Sequence, residues 1–411
     1  MPGSRKVINS SASFPDLGLS PPFLDSLAKR LAERNIASPT EIQKLAIPKF
    51  LSGESFLFRS PTGTGKTLAY LLPLLEHLSS LPESAGPVFR GTPLILIAAP
   101  TYELCSQIKG QADYLLEGTP FHAALLIGSA AMSRQIESLK KERPALVVGN
   151  PGRILALARF GKLRLQNIRF LVLDEGDRLV QDELFGETSE MVSLLGPAID
   201  SGLLVRAACS ATIPPKSRKR LAMLLGLPEN AAVNDDSSSV LRDKVEHWAF
   251  YSQERDKVDL LRSLIVALRK TGPVKALVFS GRGTQVETIA SRLRARKLPV
   301  TGLWGGMEKS DRRQALDDFR SGKLPFLVTS DLAARGLDVP DISHVVALDV
   351  AEDRDIYVHR AGRTARAGKG GVMISIGTEG EMRRLAAIEK TLGIKVFPKE
   401  LYGGRILVPG E

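Results

Sequence analysis

The chain has 411 residues, of which 43% are hydrophobic and 25% are charged, and this is the composition of a globular protein. Its longest apolar stretches run to about seven residues, which excludes a membrane-spanning helix, and a chain of this length usually forms two domains. A formal net charge of +11 favours a polyanionic partner. Cys105 and Cys209 lie inside apolar segments, so we expect two core cysteines without a disulfide in a cytoplasmic protein.

Short strand-like runs alternate with helical patterns from residue 55 to residue 234. Each run is continuously apolar, which is typical of a parallel sheet that helices cover on both faces. We predict a first domain over residues 14–235, preceded by a disordered segment at residues 1–13. The predicted strands are Ser55–Ser60, Leu94–Ala99, Ala123–Gly128, Ala145–Gly149, Phe170–Asp174 and Leu203–Ser210.

The same alternation begins again after a polar stretch, residues 236–245, which we expect to be a flexible linker. Residues 246–395 are predicted to form a second domain and residues 396–411 a short tail. The fold class is therefore α/β, with two tandem domains that each contain a mostly parallel sheet flanked by helices. The predicted elements are the strands Lys275–Ser280, Val300–Trp304, Leu324–Thr329, Val345–Asp349 and Val372–Ile376, and the helices Arg255–Lys270, Thr284–Lys297 and Glu379–Leu392.

A glycine-rich segment, S-P-T-G-T-G-K-T at residues 60–67, follows the first predicted strand. Its glycines would let backbone N–H groups approach a phosphate, and the following helix would offer its positive N-terminal end. Lys66 would reach the β and γ phosphates of ATP, and the hydroxyl of Thr67 would bind Mg²⁺. The residues predicted to bind ATP here are Pro61, Thr62, Gly63, Thr64, Gly65, Lys66 and Thr67.

Two carboxylates end the predicted strand Phe170–Asp174, in the sequence D-E-G-D at residues 174–177. Next to a phosphate loop, Asp174 would hold Mg²⁺ through water, and Glu175 would orient and deprotonate the water that attacks ATP. An acidic turn that only ends a strand is the alternative, and the phosphate loop upstream favours catalysis. We therefore predict that Lys66, Asp174 and Glu175 are catalytic.

A third motif, H-R-A-G-R-T-A-R, occupies residues 359–366. Together with the two motifs above, it resembles the DEAD-box ATP-dependent RNA helicases of superfamily 2, and the similarity extends over nearly the whole chain. The resemblance implies two RecA-like domains that use ATP and Mg²⁺ and bind RNA. It also implies that Arg363 and Arg366 are catalytic, because they would stabilise the γ-phosphate when the two domains close.

The resemblance assigns further residues to the nucleotide site. Gln43, in P-T-E-I-Q at residues 39–43, would recognise adenine, because its amide can pair with both N6 and N7 of the base. Phe14 would stack on the base, and Asp338 would bind the ribose hydroxyls. The residues that would couple the ATP site to strand separation are Asp177, Ser210, Thr212 and His359.

The resemblance also implies contacts with the sugar–phosphate backbone of RNA, with little sequence preference. The candidates of the first domain follow predicted strands, where helix N-termini and loops present N–H groups to phosphates. Recognition of the 2′-hydroxyl would select RNA over DNA. The predicted RNA-binding residues are Pro100, Thr101, Gly128, Pro151, Gly152, Arg153, Gly305, Arg312, Ser330 and Arg335.

The chain departs from the family pattern at several positions. Gly176 stands where the family has the alanine of D-E-A-D, and Tyr102 stands where it usually has an arginine. Asn35 replaces a usual glycine, the segment that leads to Gln43 is longer by about one helical turn, and Ala365 is a further substitution. We expect ATP hydrolysis to survive these changes and the hold on RNA to be altered.

Three functions are consistent with these motifs. The first is an RNA-dependent ATPase that unwinds short RNA duplexes or remodels ribosomal or other ribonucleoprotein. The second is an ATP-gated RNA clamp or assembly scaffold that separates no strands, and the third is a DNA-directed motor of superfamily 2, which Gln43 and the H-R-A-G-R-T-A-R form argue against. We favour the first and expect a monomer that binds no membrane.

Overall fold

The computed structural model describes residues 12–60, 63–81, 93–200, 202–228, 231–234, 244–281, 283–334, 339, 341–352, 354–365 and 370–409. By its internal contacts the chain divides into two compact units, with the division between residues 235 and 236. Most of the predicted linker and of the predicted disordered segment lies outside the described residues. The predicted site residues that also lie outside them are Pro61, Thr62, Arg335, Asp338 and Arg366.

The first unit contains a seven-stranded sheet in which every pair of neighbouring strands is parallel, in the order β3-β4-β2-β5-β6-β1-β7. Its strands are β1 (Phe56–Arg59), β2 (Ile95–Ala98), β3 (Ala123–Leu126), β4 (Leu146–Gly149), β5 (Phe170–Asp174), β6 (Val205–Ser210) and β7 (Ala232–Asn234). Its helices are α1 (Pro21–Glu33), α2 (Glu41–Leu51), α3 (Lys66–Ser79), α4 (Tyr102–Leu116), α5 (Met132–Glu142), α6 (Pro151–Arg159), α7 (Gly176–Leu179), α8 (Asp182–Ser193), α9 (Gly196–Asp200) and α10 (Pro215–Leu225), with a 3₁₀ turn at Pro15–Leu17.

The continuous apolar runs of these strands are explained by a core on both faces of the sheet. Phe56 and Phe58 of β1 pack in one buried cluster, whereas Leu57 between them packs in the other. Side chains alternate between the two faces of a strand, so both sets must be apolar when helices cover both faces. This arrangement confirms the predicted parallel α/β fold for the first unit.

The second unit repeats the design with another seven-stranded parallel sheet, in the order β10-β11-β9-β12-β13-β8-β14. Its strands are β8 (Val245–Tyr251), β9 (Ala276–Phe279), β10 (Val300–Leu303), β11 (Phe326–Thr329), β12 (His344–Ala347), β13 (Gly371–Gly377) and β14 (Val396–Pro398), followed by an antiparallel pair, β15 (Glu400–Tyr402) and β16 (Arg405–Leu407). Its helices are α11 (Lys257–Thr271), α12 (Gly283–Ala295), α13 (Lys309–Arg320), α14 (Asp331–Ala334), α15 (Arg354–Ala361) and α16 (Glu379–Leu392), with a 3₁₀ turn at Glu254–Asp256. Within the parts of the chain that the structure describes, no helix is both long enough and apolar enough to cross a bilayer.

The structure adds strands that the sequence analysis did not predict, at β7, β8, β14, β15 and β16. Residues 396–411, which we expected to form a short tail, provide β14 at the edge of the second sheet and then a hairpin. The hairpin turns at Gly403 and Gly404, whose φ angles of 58° and 74° are the left-handed values that a two-residue turn between antiparallel strands requires. The C-terminal segment is therefore part of the folded second unit.

Candidate functional site

Most of the predicted site residues of the first unit lie along one edge of its sheet. All strands run parallel, so their carboxyl ends meet at that edge, which is where open α/β sheets bind ligands. The strand order divides the edge into two sectors. The phosphate loop, Asp174 and Ser210 follow or end β1, β5 and β6, whereas Pro100, Gly128 and Pro151 follow β2, β3 and β4.

The phosphate loop has the backbone shape that its glycines predict. Gly63 and Gly65 have φ angles of 81° and 91°, in the left-handed region that glycine adopts most readily. Lys66, the first residue of α3, donates from Nζ to the carbonyl oxygen of Ser60 at 2.5 Å. The hydroxyls of Ser60 and Thr64 lie 2.5 Å apart across the loop. The lysine and the start of α3 are thus held at the place where a phosphate would bind.

Gln43 is 1% exposed and joins α2 to the phosphate loop. Its Oε1 accepts from the backbone N–H of Thr40 at 3.0 Å, and its Nε2 donates to the carbonyl of Gly65 at 3.2 Å. A Cβ atom on Gly65 would displace this amide, in addition to the strain that its φ angle would cause in any other residue. The structure therefore brings Gln43 to the loop, and pairing with adenine stays a prediction.

Phe14, the predicted adenine-stacking residue, is 6% exposed and belongs to a buried hydrophobic cluster. Its carbonyl accepts from Leu17 in the short 3₁₀ turn. The structure gives this ring a packing role, and a contact with the base stays a prediction. Asn35, which replaces a usual glycine, has φ of 55° after α1, a conformation that asparagine tolerates better than most side chains.

Asp174 is the last residue of β5, and its carboxylate accepts three hydrogen bonds. The Tyr70 hydroxyl donates to Oδ2 at 2.9 Å, and the Glu175 N–H and the Cys209 thiol donate to Oδ1 at 2.8 and 3.1 Å. Burial, and then the negative charge of Asp174, raises the pKa of both Tyr70 and Cys209, so both keep their protons and remain donors. Sequence reasoning missed Tyr70 and Cys209 as supports of this carboxylate.

The residues around Asp174 fit a magnesium site. Mg²⁺ prefers hard oxygen ligands and is usually held by one or two carboxylates together with phosphate oxygens and water. Tyr70 lies three residues after Thr67 on α3, so both side chains project from one face of that helix, and the bond from Tyr70 to Asp174 brings this face to the carboxylate. Asp174 and Thr67 are the residues that would hold the ion.

Glu175, the predicted general base, has φ of 49° and ψ of 47°. This left-handed conformation is costly for a non-glycine residue, by roughly 1–2 kcal/mol, and such strain is found at functional sites. Gly176 follows it, where a Cβ atom would lie 3.2 Å from Cβ of Ala208 and 3.3 Å from Leu221. An alanine at this position would therefore require both neighbours to move by a few tenths of an ångström.

Asp177 joins the D-E-G-D segment to the end of β6. Its carboxylate accepts hydrogen bonds from the hydroxyls of Ser210 and, at 3.3 Å, of Thr212. Burial raises the pKa of Asp177, and the two hydroxyl donors counteract that effect. Three of the predicted coupling residues are thus brought into one buried cluster next to the candidate ATP site.

The second sector of the edge collects the predicted RNA-binding residues of the first unit. Thr101 caps α4, accepting from the Leu104 N–H at 3.3 Å, and Pro151 begins α6. Arg153 donates from Nη2 to the carbonyl of Gly128 at 2.8 Å and so ties α6 to the loop after β3. A side chain at Gly152 would meet the carboxylate of Glu187 at 2.6 Å. Helix N-termini and a glycine loop are thus presented together, as phosphate binding requires.

In the second unit, His359 lies on α15 and Arg363 follows that helix. Arg360, between them, is 2% exposed and forms a pair of hydrogen bonds with Asp331 at 2.9 and 2.7 Å. It also donates to the carbonyl of Asp349 at 2.7 Å and to its carboxylate at 3.1 Å. Arg360 therefore fixes α15 to the ends of β11 and β12. Sequence reasoning missed this role, although the arginine stands inside the motif.

The remaining predicted RNA-binding residues of the second unit follow neighbouring strands. Gly305 lies after β10 and Ser330 after β11, and these strands pair in the sheet. Ser330 is buried, and its hydroxyl accepts from the Ala333 N–H at 3.3 Å, whereas Gly305 is exposed. Arg312 lies in the first turns of α13. Gly305 and Ser330 therefore share one edge, and Ser330 serves α14 as a cap.

Ala365, two residues after Arg363, has φ of 56°, a left-handed angle that favours glycine. Ala365→Gly is expected to change the free energy of unfolding by less than about 0.5 kcal/mol. Release of roughly 1–2 kcal/mol of backbone strain should offset about 0.8 kcal/mol for the buried methyl and roughly 0.5–1 kcal/mol of backbone entropy. Thermal unfolding of the full chain measures this difference.

The matched control is Ala361→Gly, because Ala361 is buried in the helix α15. There the substitution loses the methyl and the helical preference with no strain to release, so a loss of about 2 kcal/mol is expected. Equal losses at both positions would contradict the strain assigned to Ala365.

Comparison with known proteins agrees with these motifs. Residues 40–221 match the DEAD/DEAH box helicase family, and residues 256–368 match the helicase conserved C-terminal domain. The chain is similar to the DEAD-box ATP-dependent RNA helicase CshC of Bacillus cereus, with 36% identity over 93% of this chain and 92% of that protein. It is also similar to the probable ATP-dependent RNA helicase YfmL of Bacillus subtilis, with 33% identity over 94% of this chain and 98% of that protein.

A solved structure agrees with the α/β fold of the two units. The S. cerevisiae protein Dbp5, bound to RNA and ADP BeF3, aligns with a TM-score of 0.77 and 26% identity over 94% of this chain and 95% of that chain. The predicted fold class and the predicted family are both confirmed by these similarities. We conclude that the chain belongs to the family of DEAD-box ATP-dependent RNA helicases.

Proposed function

We propose that this protein hydrolyses ATP with Mg²⁺ in response to RNA, and that the energy is used to unwind short RNA duplexes or to remodel ribonucleoprotein. One observation carries the proposal. A single edge of the first sheet holds a phosphate loop and an acidic cluster in one sector and a row of helix N-termini in the next. A nucleotide and an RNA backbone bound to the two sectors would therefore be joined by the same rigid sheet.

The chemistry of the first unit follows from its side chains. Lys66 would neutralise the β and γ phosphates, Asp174 and Thr67 would hold Mg²⁺, and Glu175 would take the proton of the attacking water. Asp177, with Ser210 and Thr212, would link the acidic segment to the end of β6. A change at the γ-phosphate could then shift this hydrogen-bonded cluster.

The second unit would complete the site. Arg363 and Arg366 would approach the γ-phosphate, Asp338 the ribose and His359 the coupling cluster, when ATP and RNA are both bound. Such arginines act by stabilising charge that develops in the transition state. The support in the structure for this role is the firm attachment of α15 through Arg360 to Asp331 and Asp349, because an arginine finger must be held in position to be effective.

RNA is proposed as the partner through backbone contacts, with little sequence preference. The net charge of +11 and the helix N-termini of the second sector support a phosphate ligand. A ribonucleoprotein as the natural target, a monomeric state and a cytoplasmic location stay predictions from the sequence.

Tyr102 supports a second candidate function, an RNA clamp without strand separation. Its side chain is 48% exposed at the first position of α4, next to the cap residue Thr101. A phenol there gives a stacking or hydrogen-bonding surface where an arginine would give a charge. Such a change affects how firmly one strand is held and leaves the ATP chemistry intact.

The proposal is tested by measuring ATP turnover with and without single-stranded RNA, together with displacement of one strand of a short RNA duplex. RNA is expected to stimulate turnover, and displacement is expected only with ATP. Stimulated turnover without displacement would favour the clamp. Turnover that RNA does not change, in a protein that Lys66→Ala still inactivates, would contradict the proposed coupling.

A further inference from the structure

The C-terminal segment forms an exposed surface that the proposed function does not use. Phe397 on β14 is 39% exposed, and Tyr402 at the end of β15 is 76% exposed. Phe397 stands opposite Trp248 of β8 in the parallel pairing of β14 with β8, so their side chains share one face of the sheet. These aromatic residues line the edge of the second sheet and its hairpin.

Lysines accompany the aromatic rings. Nζ of Lys395 lies 5.0 Å from the ring centre of Phe397, and Nζ of Lys399 lies 5.5 Å from that of Trp248. Each ammonium group thus forms a cation–π contact with an aromatic ring. We name Trp248, Lys395, Phe397, Lys399 and Tyr402 the lysine–aromatic surface.

A cavity of about 740 Å³ adjoins this surface at the amino ends of β8, β12, β13 and β14. Its described lining includes Lys244, His344, Lys395 and Phe397. Burial lowers the pKa of His344 to about 4, so this ring is neutral near pH 7 and adds no charge. The cavity lies at the edge of the sheet opposite to the one where Gly305 and Ser330 follow their strands, because all strands of this sheet are parallel.

The charges around the surface favour an anionic occupant. Glu246 lines the cavity and accepts from Nε1 of Trp248 at 3.1 Å, and Glu389 accepts from the Val396 N–H at 2.8 Å. Glu400 is exposed on the hairpin. The cationic side chains of this region are Lys244, Lys270, Lys395, Lys399 and Arg405, and Nζ of Lys270 lies within 3.4 Å of the place that a Cβ atom of Gly404 would take.

We propose that the lysine–aromatic surface and its cavity bind a second stretch of single-stranded RNA, in addition to the stretch on the carboxyl edges of the sheets. Single strands are bound where cations follow the backbone and aromatic rings stack with the bases, and this surface offers both in alternation. Phe397 and Tyr402 provide the stacking faces, and Lys395 and Lys399 contact the phosphates. The inference rests on the proposed function, because it assumes that RNA is the ligand of the protein.

The consequence is a dependence on RNA length. A strand of about 10 nucleotides occupies one site of ordinary size, whereas a strand of about 30 nucleotides can reach a second one. Two linked sites raise the overall affinity without any change at the first, through the high effective concentration of the second. A longer strand offers more overlapping binding positions, which raises its affinity slightly on statistical grounds alone. The affinity of the long strand should exceed that statistical gain.

The experiment measures the affinity of the full-length protein for fluorescent oligouridylates of about 10 and about 30 nucleotides. The double variant with Phe397→Ala and Tyr402→Ala is expected to weaken binding of the long strand by about 10-fold or more and to leave the short strand unchanged. ATP turnover at saturating short RNA is expected to stay at the wild-type rate. Phe160→Ala, at an exposed aromatic residue of the first unit, is the matched control and should change neither affinity.

The double variant with Lys395→Ala and Lys399→Ala tests the phosphate contacts. Its readout is the salt dependence of the affinity, which a loss of folded protein would not change. For the long strand, the slope of log K against log salt should become shallower by about 1.4, which is about 0.7 for each lost contact with single-stranded nucleic acid. Lys390→Ala, at an exposed lysine of α16, should leave the slope unchanged.

The outcomes separate this inference from the proposed function. Equal affinities of wild type and variants for the long strand, or equal weakening for both strands, would overturn the second site while RNA-stimulated turnover still stands. A wild-type protein that binds neither strand would overturn both. Selective weakening of the long strand by the double alanine variant, with wild-type affinity retained by Tyr402→Trp, would establish the surface.

Discussion

Glu175→Gln is expected to lower ATP turnover at saturating RNA by about 100-fold or more, with ATP affinity unchanged within a few-fold. The amide has the shape of the carboxylate and no capacity to take a proton from water. Asp174, which has its own donors in Tyr70 and Cys209, would still be available to Mg²⁺. Steady-state turnover and equilibrium binding of a fluorescent ATP analogue measure the two quantities separately.

The control for this variant is Glu183→Gln, at an exposed acid near the start of α8. It removes the same charge from the same unit, so it should leave turnover at the wild-type rate. If Glu175→Gln also turned over ATP normally, another group would have to be the base. Loss of ATP affinity in the variant would instead indicate that Glu175 contributes to binding.

Most strands of the two sheets were predictable because their chemistry is local. A parallel sheet covered on both faces requires continuous apolar runs, and each predicted run has a counterpart in the structure. The strand β8, V-E-H-W-A-F-Y, was not predicted, because Glu246 and His247 interrupt its apolar residues directly after a polar stretch. Strands β14 to β16 are three residues each, too short for a pattern to emerge.

The candidate site was predictable where a motif fixes both residue type and spacing, as in the phosphate loop and the D-E-G-D segment. The supporting contacts were not, because they join distant parts of the chain. Tyr70 and Asp174 are 104 residues apart, and Arg360 and Asp331 are 29 apart. No local spacing relates such partners, and only the packing of α3 and α15 against their sheets brings them together.

The effects of the departures from the family pattern likewise could not be predicted from local sequence. Asn35 replaces a usual glycine, and Ala365 has a φ angle that favours glycine. Both residues have a left-handed backbone conformation. The fold, rather than the residue, imposes that conformation. Gly176 differs, since a methyl group there would lie 3.2 Å from Ala208 and 3.3 Å from Leu221. The effect of a substitution therefore depends on whether its neighbours can adjust.

Arg363→Ala is expected to lower the turnover number for ATP by about 10³- to 10⁵-fold, which is the range for loss of an arginine finger. Arg363→Lys should recover little of this loss, because an ammonium group lacks the planar fork that contacts two phosphate oxygens at once. Binding of ATP to the first unit should persist in both variants. Single-turnover hydrolysis with saturating RNA measures the chemical step directly.

Arg360 lies three residues before Arg363 in the same motif, and we expect the two arginines to have different roles. Arg360→Ala would leave the carboxylates of Asp331 and Asp349, which are 31% and 33% exposed, without their partner, so it should lower the free energy of unfolding by about 1.5–3 kcal/mol. Arg363 is 7% exposed, and Arg363→Lys keeps its charge, so this variant should lose less free energy of unfolding than Arg360→Ala and still be inactive. A loss of stability in Arg363→Lys as large as that in Arg360→Ala, or normal turnover in it, would assign Arg363 to packing instead of catalysis.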